Sequence, residues 1–280
     1  MMLLLVDISG LFHAYYHSQS GKFTDGDLLV ESVRYNVMIR LDKLRDRFLP
    51  KYPDLACAAV FDNPNRVLYR DVIAETFLGI KFKDGRTKHE DVPRCELAIL
   101  ESVREDEHWS AVVAPDQWEA DDMLATLSKH YQGKVLIHSS DRDCHSMLEA
   151  GRVSILKDSK TPEAGGPMDL RYFTAGDLES EKSGYGFSPD KWIVWQMITG
   201  GKDNIPGWNG AGEVLAKKVI DEIGDGSILS DLTEETTKLN KTQLKHLPKF
   251  LKQLPAIYMV RKLMTELDWP EGVPYSPPKK

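Results

Sequence analysis

No stretch of this sequence approaches the roughly 20 consecutive apolar residues that cross a bilayer, so no membrane association is expected. The opening Met-Met-Leu-Leu-Leu-Val runs straight into Asp7, too short for the apolar core of a secretion signal. Cysteine is scarce: Cys57, Cys95 and Cys144 are three in 280 residues, an odd number without metal-ligand spacing. That excludes a disulfide scaffold and a thiolate zinc site, and points to reduced thiols in a cytoplasmic compartment. An excess of positive charge is missing too. Lys and Arg number 36 against 43 Asp and Glu, a net charge of −7. This argues weakly against a nucleic-acid binder, which usually carries a basic footprint. The argument loses its force if the acids are gathered to hold cations, because each divalent ion offsets two of them. With 41% hydrophobic and 28% charged residues the chain has a globular composition, neither disordered nor collagen-like.

What is present is alternation. Short apolar runs at 3–6, 56–61, 111–114, 134–138 and 152–156 read as strands. Between them, 28–49, 90–107 and 119–131 read as helices; Leu28, Val33, Val37, Leu41 and Leu44 recur along one helical face. Fully apolar strands alternating with helices predict an α/β fold with a parallel sheet covered on both sides. From about 175 the strand signal ends, and 189–198, 211–223, 240–253 and 255–267 read as helices. The expected organisation is an α/β part over 1–175 and a helical part over 176–280. The stretch 158–169, with Pro162, Gly165, Gly166 and Pro167, reads as a connection, and the proline-rich end from Pro270 as a tail.

The acids fall at strand ends. Asp7 follows the first strand and Asp62 the second; Glu119, Asp121 and Asp122 follow the third, and Asp141 and Asp143 the fourth. Ligands of an open α/β sheet bind outside the carboxyl ends of its strands. One acid there is ordinarily a helix cap; four strands sharing the habit are not explained by capping. Carboxylates packed together repel unless cations separate them. An all-oxygen donor set suits Mg²⁺ or Mn²⁺ rather than zinc. Two such ions about 4 Å apart clamp the attacking and leaving oxygens of a phosphodiester, so the pattern points to metal-dependent phosphoryl chemistry.

In order, the motifs are Leu5-Val6-Asp7-Ile8-Ser9, Val60-Phe61-Asp62, Glu119-Ala120-Asp121-Asp122, Ser140-Asp141-Arg142-Asp143 and Asp203-Asn204-Ile205-Pro206-Gly207-Trp208-Asn209-Gly210-Ala211-Gly212. Together they resemble the flap endonuclease and 5′→3′ exonuclease family of phages and bacteria, over residues 3 to about 223. The resemblance implies a PIN-like 5′-nuclease core with a helical arch over about 63–108 and a helix–hairpin–helix over about 203–223. It implies one ion on Asp7, Asp62, Glu119 and Asp121, with Asp122 between two sites, and a second ion on Asp141, Asp143 and Asp203. One departure stands out: Gly200 occupies a position where the family usually has a further Asp, which should weaken the second ion. Ile8, where Gly is usual, is a smaller one.

Lys81-Phe82-Lys83-Asp84-Gly85-Arg86-Thr87-Lys88 lies inside a connection of about fifty residues, long for its kind. It resembles the family's Tyr-Lys-x-x-Arg segment, which makes Lys83 and Arg86 the cations that neutralise the scissile phosphate. Arg66, Arg70, Lys81 and Lys88 would extend that DNA surface. In the second part, Pro206 and Gly207 turn the chain at the DNA-binding hairpin, Gly210 and Gly212 let backbone amides approach a phosphate, and Lys217 and Lys218 on the following helix reach for the duplex. Such contacts read phosphate rather than sequence. In the family, K⁺ also binds at this hairpin.

The expectation is a stand-alone, monomeric, cytoplasmic nuclease (in a bacterial cell or a phage-infected host) with no polymerase domain attached. It would act on DNA at 5′ single-strand/duplex junctions in replication and repair, both as exonuclease and as flap endonuclease. Two rivals remain. One is a protein that clasps branched DNA without cutting it efficiently, should Gly200 have cost the second ion. The other is a PIN-type ribonuclease, which shares the sheet and the acids but lacks the hairpin.

Overall fold

The structure, a computed structural model, describes residues 1–64, 68–83, 89–159, 169–182, 184–201, 203–223 and 239–274. The chain divides into two compact units, each discontinuous in sequence. The first joins Met1–Arg66, Thr87–Thr174 and Met264–Lys280; the second joins Val67–Arg86 and Ala175–Leu263.

The first unit is built on a six-stranded sheet. β1 (Met2–Asp7), β2 (Leu55–Phe61), β3 (Ser110–Val113), β4 (Lys134–His138), β5 (Val153–Asp158) and β6 (Leu170–Phe173) lie in the order β3-β2-β1-β4-β5-β6. The first five are parallel, as their unbroken apolar runs require. β6 pairs antiparallel with β5, Ile155 opposite Phe173. Central β1 is buried along its whole length. Its Met2, Leu4 and Val6 join a core with α1 (Ile8–Gln19), α2 (Gly26–Phe48) and α4 (Asp91–Glu105). α5 (Ala120–His130) packs against β1 and β2 with buried Leu124 and Leu127. Val33, Val37, Leu41 and Leu44 form the buried stripe of α2 as expected, but Leu28 is 57% exposed. It sits at the helix start, where Asp25 caps its amide and that of Asp27, and Leu29 and Val30 turn inward instead.

In the second unit, α3 (Tyr69–Ile73) runs into one wide π-turn over Ala74–Leu78. α6 (Ala175–Glu179), α7 (Trp192–Thr199), α8 (Glu213–Ile223) and α9 (Lys241–Arg261) complete it. Trp192 and Trp195 stack at 4.9 Å, with Tyr185 edge-on to both, which makes them core. Trp208 is buried face to face with Phe250 at 5.5 Å, and its Nε1 donates to the Gln243 carbonyl at 3.1 Å. α9 is one helix where two were expected. It is opened by reciprocal caps between Asn240 and Gln243 and continues through Pro248 and Pro255.

Candidate metal centre

Parallel pairing puts the ends of β1, β2, β3 and β4 along one edge, and the chain leaves each with an acid close behind. Asp7 ends β1 and caps α1: its Oδ1 accepts the Gly10 amide at 3.2 Å and its Oδ2 the Ser139 hydroxyl at 2.9 Å. Ser139 Oγ also accepts the Asp141 amide at 3.0 Å, so one serine joins the ends of β1 and β4. Asp62 accepts the Ser9 hydroxyl at 3.0 Å and the Ala120 amide at 2.8 Å, which ties β2 to the first turn of α5. Glu119 and Asp122 cap that turn reciprocally. Asp121, between them, points elsewhere: carboxylate oxygens of Asp121, Asp141 and Asp143 lie within 4.8 Å of one another.

Burial and crowding disfavour the ionised form of two of these acids. Burial, with the charges of Asp62 and Asp141, pushes Asp7 up to about 6 against the pull of the Gly10 amide and the Ser139 hydroxyl. Burial again, then Asp141, Asp7, Asp143 and Glu119, raises Asp121 well above the usual carboxylate range. These acids resist ionising together, and a hard dication relieves that. Three carboxylates with oxygens at ligand spacing, beside Asp7 and Asp62 with their hydroxyl and amide donors, fit Mg²⁺ or Mn²⁺. At about 100 times its dissociation constant an ion stabilises the folded chain by about 2.7 kcal/mol, which should raise Tm by roughly 5–10 °C. Calorimetry with Mn²⁺ against chelator checks this; an unchanged melting temperature would mean that the acids hold no ion.

Two of the acids singled out in the sequence are engaged differently. Asp122 is completely buried, and both of its oxygens serve backbone amides: Oδ2 accepts from Glu119 at 3.0 Å and Oδ1 from Met264 at 2.8 Å. Asp203 lies in the second unit, its carboxylate paired with Arg261 at 2.6 Å. Gly200 has a φ of +76°, and a Cβ there would stand 2.9 Å from the Gly207 amide nitrogen. A side chain, and so a restored Asp, does not fit without moving backbone.

The cations sort similarly. Arg70 is 5% exposed and donates to the carbonyls of Val260, at 2.9 Å, and Lys262, so it is spent inside the second unit. Lys81 is exposed and Lys83 half-buried. Arg66, Arg86 and Lys88 lie outside the described residues, as does Lys202. Gly207 is required where it stands, because a Cβ would fall 2.4 Å from the Gly200 nitrogen; Gly210 has a φ of +86°. Gly212 and Lys218 line a shallow recess with Asn240 and Gln243, whereas Lys217 pairs with Glu181 at 3.4 Å.

The family model for the 5′-3′ exonuclease N-terminal, resolvase-like domain matches residues 2–173. The chain belongs to this 5′-3′ exonuclease family. Among curated relatives, the thermostable DNA polymerase I of Thermus aquaticus is 30% identical over 172 residues, 59% of this chain and 19% of that protein. DNA polymerase I of Mycobacterium tuberculosis is 27% identical over 237 residues, 82% of this chain and 24% of the polymerase. The chain therefore spans about a fifth to a quarter of the length of these relatives. The bacteriophage T5 flap endonuclease, solved with DNA and metal ions, shares the fold with a TM-score of 0.62 at 17% identity, covering 93% of this chain and 89% of that one. The Rad2 catalytic core, solved with DNA, matches at 0.52 and 16% identity over 94% and 77%. Within the exonuclease family frame, the residues missed in the sequence are the orienting ones, Ser9, Gly10, Ser139 and Arg261. Ser9 and Ser139 sit two residues from an acid on a strand end; that proximity was the available signal.

Proposed function

We propose that this member of the 5′-3′ exonuclease family is a structure-selective, divalent-metal-dependent 5′ nuclease. It hydrolyses DNA phosphodiesters at 5′ single-strand/duplex junctions, as exonuclease and as flap endonuclease. The observation that carries the reading is the approach of Asp121, Asp141 and Asp143 within one strand-end basin. Asp7, Asp62 and Glu119 complete the acid set, oriented by the serines and amides described above. The set suits Mg²⁺ or Mn²⁺ and has carboxylates enough for two ions. When bound, such ions offset the charge on the phosphate and lower the pKa of an attacking water.

The chain's own residues do the rest. Gly10 and the two serines hold the acids in place, so little reorganisation is needed as the phosphate arrives. Lys83, with Arg86, supplies positive charge to the scissile phosphate. The turn between α7 and α8, with Gly207 and Gly210, acts as the hairpin that meets the duplex backbone, and its carbonyls offer a place for K⁺. Lys218 is the exposed cation beside it. Phosphate contacts of this kind select shape over base sequence, as a junction nuclease requires.

The test uses a 5′-flap duplex and the matching RNA, incubated with the folded protein and Mg²⁺ or Mn²⁺ and resolved on a denaturing gel. The expected result is metal-dependent cutting of the DNA near the junction, leaving 5′-phosphate ends. Binding without cutting in either metal would replace this reading with a branched-DNA clasp. Preference for RNA would point to the ribonuclease.

A further inference from the structure

Asp203 is a junction inside the second unit. Its carboxylate is gripped side-on by Arg261, Nη1 to Oδ2 at 2.6 Å and Nη2 to Oδ1 at 3.0 Å, and Oδ1 also accepts the Ile205 amide at 3.3 Å. Its main-chain carbonyl accepts the Lys83 amide at 3.0 Å. Arg261 is the last residue of α9 and is buried.

Lys83 is held in an unusual shape. Its φ is +54°, the left-handed region that residues with side chains seldom adopt and that persists only where the surroundings impose it. Phe82 before it is buried, and the Lys83 ammonium lies 5.0 Å from the Phe82 ring. Further back in the same segment, Arg70 donates to the carbonyls that flank Arg261, those of Val260 and Lys262. The segment that carries Lys83 is thus fastened to the end of α9 twice, once through Arg70 and once through Asp203.

The same contacts make Asp203 a poor ion ligand. A guanidinium cannot give up its proton in a protein, and a bidentate pair engages both carboxylate oxygens. A dication on these oxygens would stand close against that fixed, buried positive charge, which disfavours it. The neighbouring ligand position is closed as well, since Gly200 has no room for a Cβ.

We infer that Asp203 is a positioning residue: paired with Arg261, it fixes the carbonyl that holds the Lys83 backbone, and it does this instead of binding a divalent ion. The inference rests on the nuclease reading given above, in which Lys83 acts on the scissile phosphate.

The experiment compares wild type, Asp203→Asn, Arg261→Lys, Lys83→Ala, Asp141→Asn and the Asp203→Asn/Lys83→Ala double variant as full chains. Mn²⁺ binding is measured without DNA by electron paramagnetic resonance, and flap cleavage under single-turnover conditions. Asp203→Asn should bind Mn²⁺ with wild-type stoichiometry and within twofold of wild-type affinity, yet cut at least tenfold more slowly. The double variant should be no slower than Lys83→Ala alone, because both changes remove one contribution. Arg261→Lys keeps the charge but not the planar fork. It should show the same split between intact ion binding and slowed cleavage, and it decides the matter if Asp203→Asn does not fold. Loss of an ion in Asp203→Asn, or a tenfold weaker Mn²⁺ affinity like that expected of Asp141→Asn, would make Asp203 a ligand and overturn the inference. So would losses that multiply in the double variant. Wild-type protein that binds no Mn²⁺ would instead sink the carboxylate reading, and this inference with it.

Discussion

Asp121→Asn should reduce flap cleavage by about a thousandfold, the equivalent of about 4 kcal/mol in the barrier, while DNA binding changes less than threefold. Asn keeps the shape of the side chain and removes its charge, so the ion loses a ligand while the phosphate contacts stay. The same variant carries a second, opposite expectation. In wild type Asp121 is held well above the ordinary carboxylate range by burial and by the acids around it. At neutral pH its ionised form therefore destabilises the ion-free protein, and Asn relieves that strain. In chelator the variant should melt a few degrees higher than wild type, and the benefit of added Mn²⁺ should shrink. Such a trade between stability and activity is common at functional sites. A gel assay and two calorimetric scans check both halves. Full cutting by Asp121→Asn, or a lower melting point in chelator, would contradict the site as drawn.

Asp122→Ala is expected to act through the fold. The carboxylate is completely buried and accepts the amides of Glu119 and Met264. Each amide left unpaired costs about 1–3 kcal/mol, so the loss should be about 2–6 kcal/mol, a fall in Tm of roughly 4–24 °C. Asp122→Asn should fall between, since its oxygen can accept from one amide while its NH₂ faces the other. The local signature is specific. Met264 to Leu267 lie along α5, with Thr126 Oγ1 donating to the Met264 carbonyl at 3.3 Å and His130 meeting the Thr265 carbonyl at 2.7 Å. Hydrogen exchange should show this strap loosening first in Asp122→Ala, in chelator as in metal. A variant that is destabilised only when metal is present would assign Asp122 to the ion instead.

Much of the first unit was legible in the amino-acid sequence because parallel strands buried on both faces write themselves as unbroken apolar runs. Where each run stops, the next acid is placed by the sheet itself. Asp7, Asp62, Asp121 and Asp141 could therefore be assigned to one edge without coordinates. Other features could not be read this way. α1 follows β1 without a break, so its apolar residues merge with the strand. β6 is four residues long, and only Leu170 of it is deeply buried. Pro255 suggested a helix end; a helix can carry proline where tertiary packing offsets the lost amide, and α9 does so beside Ala256 and Ile257, both buried. Arg70 looked like a surface cation because the carbonyls that satisfy it are 190 and 192 positions away. The pairing of Asp203 with Arg261 spans 58 positions. Motifs report what is near in the chain; these contacts are made by what is far.

The first unit takes back the chain after the second has been completed, through Met264–Lys280. During synthesis its sheet and α5 leave the ribosome long before the strap that Asp122 fastens. The nascent sheet must wait with the outer side of α5 uncovered while about a hundred further residues are translated. At the usual 5–20 residues per second that delay is on the order of 5–20 seconds. The outer side of α5 is therefore closed only once the segment from Met264 has been made.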